Sequence, residues 1–206
     1  MAKSTREKLI DAALEVFAEQ GYQNSTVQQI VERAGTNIAA INYHFGDKAS
    51  FYGHVVTHAL TLENCGEQAD FGEDLGPEDQ LRTFIKWFIH RAVGINRNPS
   101  FLDQIHMQEM MNPSPVLDTV VENFIRPNHM KLRGIITALL PKDANEQQIR
   151  HHAFSVIGQC LHYKFARPVM ERLYKDIAFT PDYADALAEH IANVSLAGMR
   201  AAHGKQ

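Results

Sequence analysis

Residues Thr26–Lys48, TVQQIVERAGTNIAAINYHFGDK, constrain the fold more than any other part of the chain. Val27, Ile30, Val31 and Ala34 recur at helical spacing, Ala34-Gly35-Thr36 interrupts them, and Ile38, Ile41 and Phe45 resume the period. Gly35 supplies the left-handed conformation that a sharp helix–helix turn needs. Thr26 is placed to cap the first helix, and Thr36 or Asn37 the second. The second helix is expected to bury Ile38 and Ile41 and to leave Asn37, Ala39, Ala40, Asn42, Tyr43 and His44 outward. Small residues beside hydrogen-bonding ones suit close approach to base edges in a major groove. The pattern predicts a helix-turn-helix that binds DNA. Asn42 is the candidate for pairing with adenine, and Ala39 and Ala40 for contact with thymine methyls.

The wider block resembles the N-terminal DNA-binding domain of the TetR family of bacterial regulators. That domain has a first helix ending in "F.E.GY..ST", followed by "I...AG.....YYHF..K..L". The matching residues are Phe17, Glu19, Gly21, Tyr22, Ser25, Thr26, Ile30, Ala34, Gly35, Tyr43, His44, Phe45 and Lys48, with Phe51 where the family usually has Leu. The match covers roughly residues 5 to 60. NIAAINYHFGDK and the later SPVLDTVVENFIRP are also similar to the subgroup of YbiH-like (CecR-like) regulators. The resemblance implies that Tyr43, His44, Lys48 and Thr26 reach phosphates, and Thr36 and Asn37 join the DNA-contacting set. It also implies a repressor released from a palindromic operator by a small-molecule effector. The alternative is a DNA-binding co-regulator or scaffold without an effector.

Charge qualifies the DNA reading. The chain of 206 residues has a net charge of −4. Over residues 1–50, Lys3, Arg6, Lys8, Arg33 and Lys48 face Glu7, Asp11, Glu15, Glu19, Glu32 and Asp47, a local sum of −1. Non-specific attraction to phosphate is then weak, and binding must rest on a few placed donors and helix N-termini.

Beyond the motif the chain reads as all-α, with no period-two strand pattern and no internal repeat. Helices are expected at about 4–20, from Asp47 through Leu62, and at about 78–97, 100–111, 114–140, 144–167 and 182–202. Pro127 should break or kink the 114–140 run. Residues 66–77 read as a loop. The expected division is a DNA-binding domain over 1–47 and an effector-binding and dimerisation domain over 48–206, with the fourth helix spanning the join.

The last two long helices carry two apolar lines on one (Ile149, Ala153, Val156, Cys160; Phe154, Ile157, Leu161, Phe165) and a small-residue ridge on the other (Ala184, Ala188, Ala192, Ser195). A helix apolar on two faces is buried on two sides. This suits a homodimer interface, which would set the spacing of two recognition helices. Interior helices of a monomeric bundle show the same periodicity, whereas the family resemblance implies dimerisation through this pair.

If the family logic holds, the second domain contains an effector site. Phe84, Trp87, Phe88 and Arg91 share one helix face, Met107 and Met110 crowd the next helix, and His106, His162 and Arg91 are the candidate orienting groups. Such aromatic and methionine stripes also make plain core, and both readings stand. No metal is expected: His54 and His58 are four apart, but three or four convergent ligands are needed. No cofactor motif, phosphate loop or nucleophile elbow is present, so the chain is not expected to be an enzyme. Cys65 and Cys160 have no metal-ligand spacing and are expected to be reduced thiols. No run approaches the ~18 apolar residues of a membrane span, and MAKSTREK lacks a signal-peptide core; a cytoplasmic location is expected.

Overall fold

The computed structural model describes residues 3–64, 71–72, 74–93 and 101–203. Residues 66–70 and 73 of the expected 66–77 loop, and Cys65, lie outside them. Eleven α-helices are described: α1 Thr5–Asn24, α2 Val27–Ala34, α3 Ile38–Phe45, α4 Lys48–Asn64, α5 Pro77–Val93, α6 Phe101–Met111, α7 Leu117–Val120, α8 Arg126–Leu139, α9 Glu146–Phe165, α10 Arg167–Leu173 and α11 Pro181–His203. The described residues contain no strand. None of their helices is long and apolar enough to cross a membrane.

The chain folds as two compact units that do not follow its order. The first comprises residues 1–68 and 98–127, the second 69–97 and 128–206. Packing therefore divides the chain differently from the expected 1–47 and 48–206. Phe51, Tyr52, Val55 and Val56 of α4 are buried in the same core as Leu9, Ala13 and Phe17 of α1, and so are Ile105 of α6 and Val120 of α7.

In the first unit, α1 opens with a reciprocal cap: Ser4 Oγ accepts from Glu7 N, and the Glu7 carboxylate accepts from Ser4 N. Gly21 interrupts α1 with φ of 71°. A Cβ there would lie 2.8 Å from the Gln108 side chain of α6, so the position needs glycine for its conformation and for room. The core is aromatic: Phe17 meets Tyr52 edge-on at 4.6 Å between centroids, and Phe45 meets Phe51 at 4.4 Å. Its one buried carboxylate among the described residues is Glu109, 1% exposed. Tyr52 Oη donates to it at 2.8 Å and Ser114 N at 3.0 Å, which ties α6 to α4 and to the turn before α7.

The expected 114–140 helix begins at Leu117 and runs to Leu139 with a change of winding inside it. A five-residue π turn, Val121–Ile125, separates α7 from α8 immediately before Pro127. Proline has no N–H to donate and crowds the carbonyl four residues back, and the wider turn accommodates both effects.

The second unit is built on α5, whose Leu81, Phe84, Ile85 and Ile89 have no exposed surface. Leu132 and Ile136 of α8, Ala153, Val156 and Cys160 of α9, and Ala184, Ala188, Ile191 and Ala192 of α11 complete its core. The small-residue ridge of α11 thus faces inward, where small side chains let helices approach. The outward face of α11 carries Ala186, His190, Val194, Ala197 and Gly198 instead. On α9 the first apolar line is buried, whereas Phe154 is 58% exposed. The short α10 was not expected, because Pro168 reads as a boundary; here it lies in a first helical turn, where its missing N–H costs nothing.

Candidate nucleic-acid interface

The turn between α2 and α3 follows from four residues. Thr26 Oγ1 accepts from Gln29 N at 3.2 Å and the Gln29 side chain accepts from Thr26 N at 2.8 Å, closing a capping box. Gly35, at φ 63° and ψ 39°, ends α2, and the next amide, Thr36 N, donates to Val31 O at 2.9 Å. Asn37 caps α3, its Oδ1 accepting from Ala40 N at 3.1 Å. Ile30, Val31, Ile41 and Phe45 anchor the pair in the core.

The outer face of α3 is thereby fixed without being packed. Asn37, Ala39, Asn42, Tyr43 and His44 are exposed, Tyr43 to 85%. Tyr43 and His44 rings meet edge-on at 4.9 Å. Ala40 is half-buried against the core. Ile38 departs from expectation: it is 44% exposed, not buried. An apolar side chain beside Ala39 and Asn42 on an otherwise polar face adds a candidate contact to thymine methyls. Period alone missed it, since it reports which residues share a side and not how far along the axis the neighbours reach.

Two expected contacts are placed differently. The Thr36 hydroxyl is covered and has no hydrogen-bond partner among the described residues. It does not belong to the outward face, and Asn37 does the capping. Lys48 Nζ donates to Tyr22 O and Ser25 O, both at 2.6 Å, and lies 4.5 Å from the Tyr22 ring centroid. Partial burial holds its ammonium below the usual lysine range. Lys48 thus closes the end of α1, with one N–H left for other use. Lys3 pairs with Asp11 at 2.7 Å, and Arg33 with Glu19 at 3.2 Å.

The expected effector residues fall in both units. Phe84 is wholly buried, Trp87 and Phe88 are half-buried, and the Arg91 guanidinium lies 6.0 Å from the Trp87 ring centroid. His162 is exposed on α9. Met107 and Met110, in the first unit, are 44% and 53% exposed; the His106 side chain lies outside the described residues. His54 Nδ1 lies 2.8 Å from Ser50 O, one turn back in its own helix. Among the described residues no three metal-ligating side chains converge.

A helix-turn-helix held this way, ahead of a helical second unit, defines a class: a one-chain DNA-binding regulator. Residues 9–55 match the bacterial regulatory proteins of the tetR family, and residues 77–199 match the C-terminal domain of the HTH-type transcriptional dual regulator CecR. The chain belongs to the TetR family, with a CecR-type C-terminal domain. It is 31% identical over 179 residues to the HTH-type transcriptional dual regulator CecR of Shigella flexneri, covering 80% of this chain and 78% of that one. The same fold occurs in AibR, solved with isovaleryl coenzyme A and operator DNA (TM-score 0.65, 14% identity, 93% and 97% coverage), and in FadR from Bacillus subtilis, solved with stearoyl-CoA (TM-score 0.63, 19% identity, 93% and 97% coverage). The matched families and CecR are transcriptional regulators and not enzymes, and the chain is a TetR-type transcriptional regulator.

Proposed function

We propose that this regulator binds a palindromic operator as a homodimer, laying α3 in the major groove, and leaves it when a small-molecule effector binds the second unit. The observation that carries the reading is the outer face of α3, where Ile38, Ala39, Asn42 and Tyr43 are exposed on a helix whose other side is locked into the core. Asn42 is the base-reading residue; Tyr43, His44 and Thr26 serve phosphates, with the remaining N–H of Lys48 beside them. AibR and FadR were crystallised with acyl-CoA ligands, which supports an effector in this fold without naming the one used here.

The dimer forms through α9 and α11. Phe154 and Gly158 of α9 and Ala186, His190, Val194, Ala197 and Gly198 of α11 are exposed, and at Gly158 and Gly198 an added Cβ would meet nothing within 4 Å. A second copy can therefore approach closely along this face. Release requires the effector to favour a DNA-incompetent state; equal affinity for both states would change nothing.

Footprinting on the DNA flanking the coding region tests the reading. A protected palindrome is expected, with protection lost in Ala197→Glu, whose sedimentation mass should halve. Protection of a single half-site by a monomer would defeat the dimeric reading. Protection that no cell-extract small molecule relieves would favour the co-regulator without an effector.

A further inference from the structure

The second unit carries an open cleft of about 630 Å³ between α5 and α11, within the size range of small-ligand sites. Phe71, Trp87 and Ala188 supply its apolar lining, and the Phe71 and Trp87 rings meet edge-on at 5.8 Å. Along α5, Arg82, Lys86 and His90 recur every fourth residue and form one row. Asp185 and Glu189 of α11 oppose them. Arg82 pairs with Glu189 at 2.5 Å and donates to Asn193 Oδ1 at 2.9 Å. Lys86 and His90 share a single carboxylate oxygen, Asp185 Oδ1, at 2.9 and 2.6 Å. These pairs are between a third and somewhat over half exposed, so solvent screens them and a ligand can exchange with them.

The Arg82 guanidinium and the Lys86 ammonium carry more N–H groups than these pairs take up, while Asp185 Oδ2 and Glu189 Oε2 stay outside the pairs. The Lys86 ammonium and the His90 imidazole crowd one acceptor atom, and the indole N–H of Trp87, covered beneath the lining ring, has no acceptor among the described residues. Both carboxylates already have partners. An anion that displaces the Asp185 carboxylate finds an existing row of donors on α5, and a cationic ligand would meet Arg82 and Lys86 at close range. An aromatic floor beneath surplus donors matches a molecule with an apolar ring and an acceptor-only head group.

We propose that this cleft binds a small aromatic acid, its ring against Phe71 and Trp87 and its acidic group on Lys86 and His90 in place of Asp185. The proposal deepens the effector reading and rests on it for its regulatory consequence. Asp185 and Glu189 lie on the helix whose exposed side carries Ala186, His190, Val194 and Ala197. Taking Lys86 and His90 away from Asp185 changes how α11 is held on α5, and so alters the face offered to the second copy.

Trp87 is the only tryptophan in the sequence, so its emission reads the cleft directly. The probes are 1-anilinonaphthalene-8-sulfonate, an aromatic anion, and its uncharged relative N-phenyl-1-naphthylamine, each titrated into the full chain. Energy transfer from Trp87 is expected, with the anion bound about tenfold more tightly than the neutral probe. Lys86→Gln and His90→Asn, both at the solvent-facing rim, should each weaken the anion about tenfold and leave the neutral probe within about twofold. Equal affinity for the two probes, no energy transfer, or indifference of the anion to both substitutions overturns the cleft assignment. Operator occupancy is followed in parallel by anisotropy of labelled DNA. Selective binding without operator release keeps the cleft and removes the effector role. Release without energy transfer keeps the effector reading and removes the cleft.

Discussion

Tyr52 and Glu109, 57 residues apart in sequence, meet in a dry hydrogen bond of 2.8 Å. Tyr52 has no exposed surface and Glu109 only 1%. Burial, followed by the hydrogen bond to the carboxylate, pushes the Tyr52 phenol well above its ordinary range. Tyr52→Phe keeps the ring in the aromatic core and removes one of the two donors that satisfy the carboxylate. We expect a loss of about 1–3 kcal/mol in urea unfolding, the usual cost of a buried group left short of a partner. Adding Glu109→Gln to the variant should recover part of it, because a single amide oxygen needs fewer donors than a carboxyl pair. Equal midpoints for wild type and Tyr52→Phe would contradict this.

On α3, Asn42→Ala and Tyr43→Ala should each lower operator affinity by roughly tenfold or more, as loss of a base or phosphate contact does. Ile38→Ala should reduce discrimination at a thymine position. All three are surface changes, so thermal stability should move by no more than about 0.5 kcal/mol. Four of the five positive side chains in residues 1–50 are engaged within their own unit: Lys3, Arg33 and Lys48 through hydrogen bonds or ion pairs, and Arg6 over the Phe45 ring at 5.4 Å. The salt dependence of binding should accordingly be shallow, each phosphate neutralised contributing about 0.9 to the log–log slope. Fluorescence anisotropy across a salt series measures both quantities.

Thr36→Val tests a hydroxyl that has no partner. Removing a covered, unpaired polar atom while preserving shape should raise stability by about 1 kcal/mol and leave operator affinity unchanged. A clear drop in affinity at unchanged stability would return Thr36 to the DNA-contacting set.

Cys160 sits wholly buried in the second unit, and desolvation pushes its thiol up to about 12. In the unfolded chain a thiol ionises near about 8.5. The folded state therefore holds its proton longer. The resulting stability is fully present below about pH 8.5 and is lost as pH rises toward 12, by at most about 1.4 kcal/mol per unit. Cys160→Ala should flatten the alkaline limb of a stability–pH profile relative to wild type. The native thiol should also resist alkylation at neutral pH, measured in a Cys65→Ser background.

Several features could be read from neighbouring residues alone. Gly35 between two apolar periods announces the turn, Thr36 or Asn37 the cap, and Pro127 a break or kink near the start of α8. Other features depend on distant partners. Ile38 has the same spacing as Ile41, and its exposure depends on where the supporting helices stop. Glu109 stands between Gln108 and Met110 with nothing nearby to suggest that Tyr52 will bury it. The α11 ridge of Ala184, Ala188 and Ala192 reads equally well as an outer or inner face, and only the assembled core turns it inward. Of the cleft, the sequence marks Trp87 as a candidate and Ala188 only as part of the ridge, because Lys86, His90 and Asp185 look like ordinary surface charges until α5 and α11 are side by side.

The way the first unit is assembled bears on how regulators of this type can be recombined. A transplant of the first sixty-odd residues onto another effector module would carry the whole helix-turn-helix. It would leave behind Ile105, Val116 and Val120, which fill the same core, and Glu109, the acceptor for Tyr52. The severed head would bare an apolar groove and a tyrosine hydroxyl without its partner. A working hybrid must carry residues 98–127 as well, so the natural seam for grafting crosses the chain in three places.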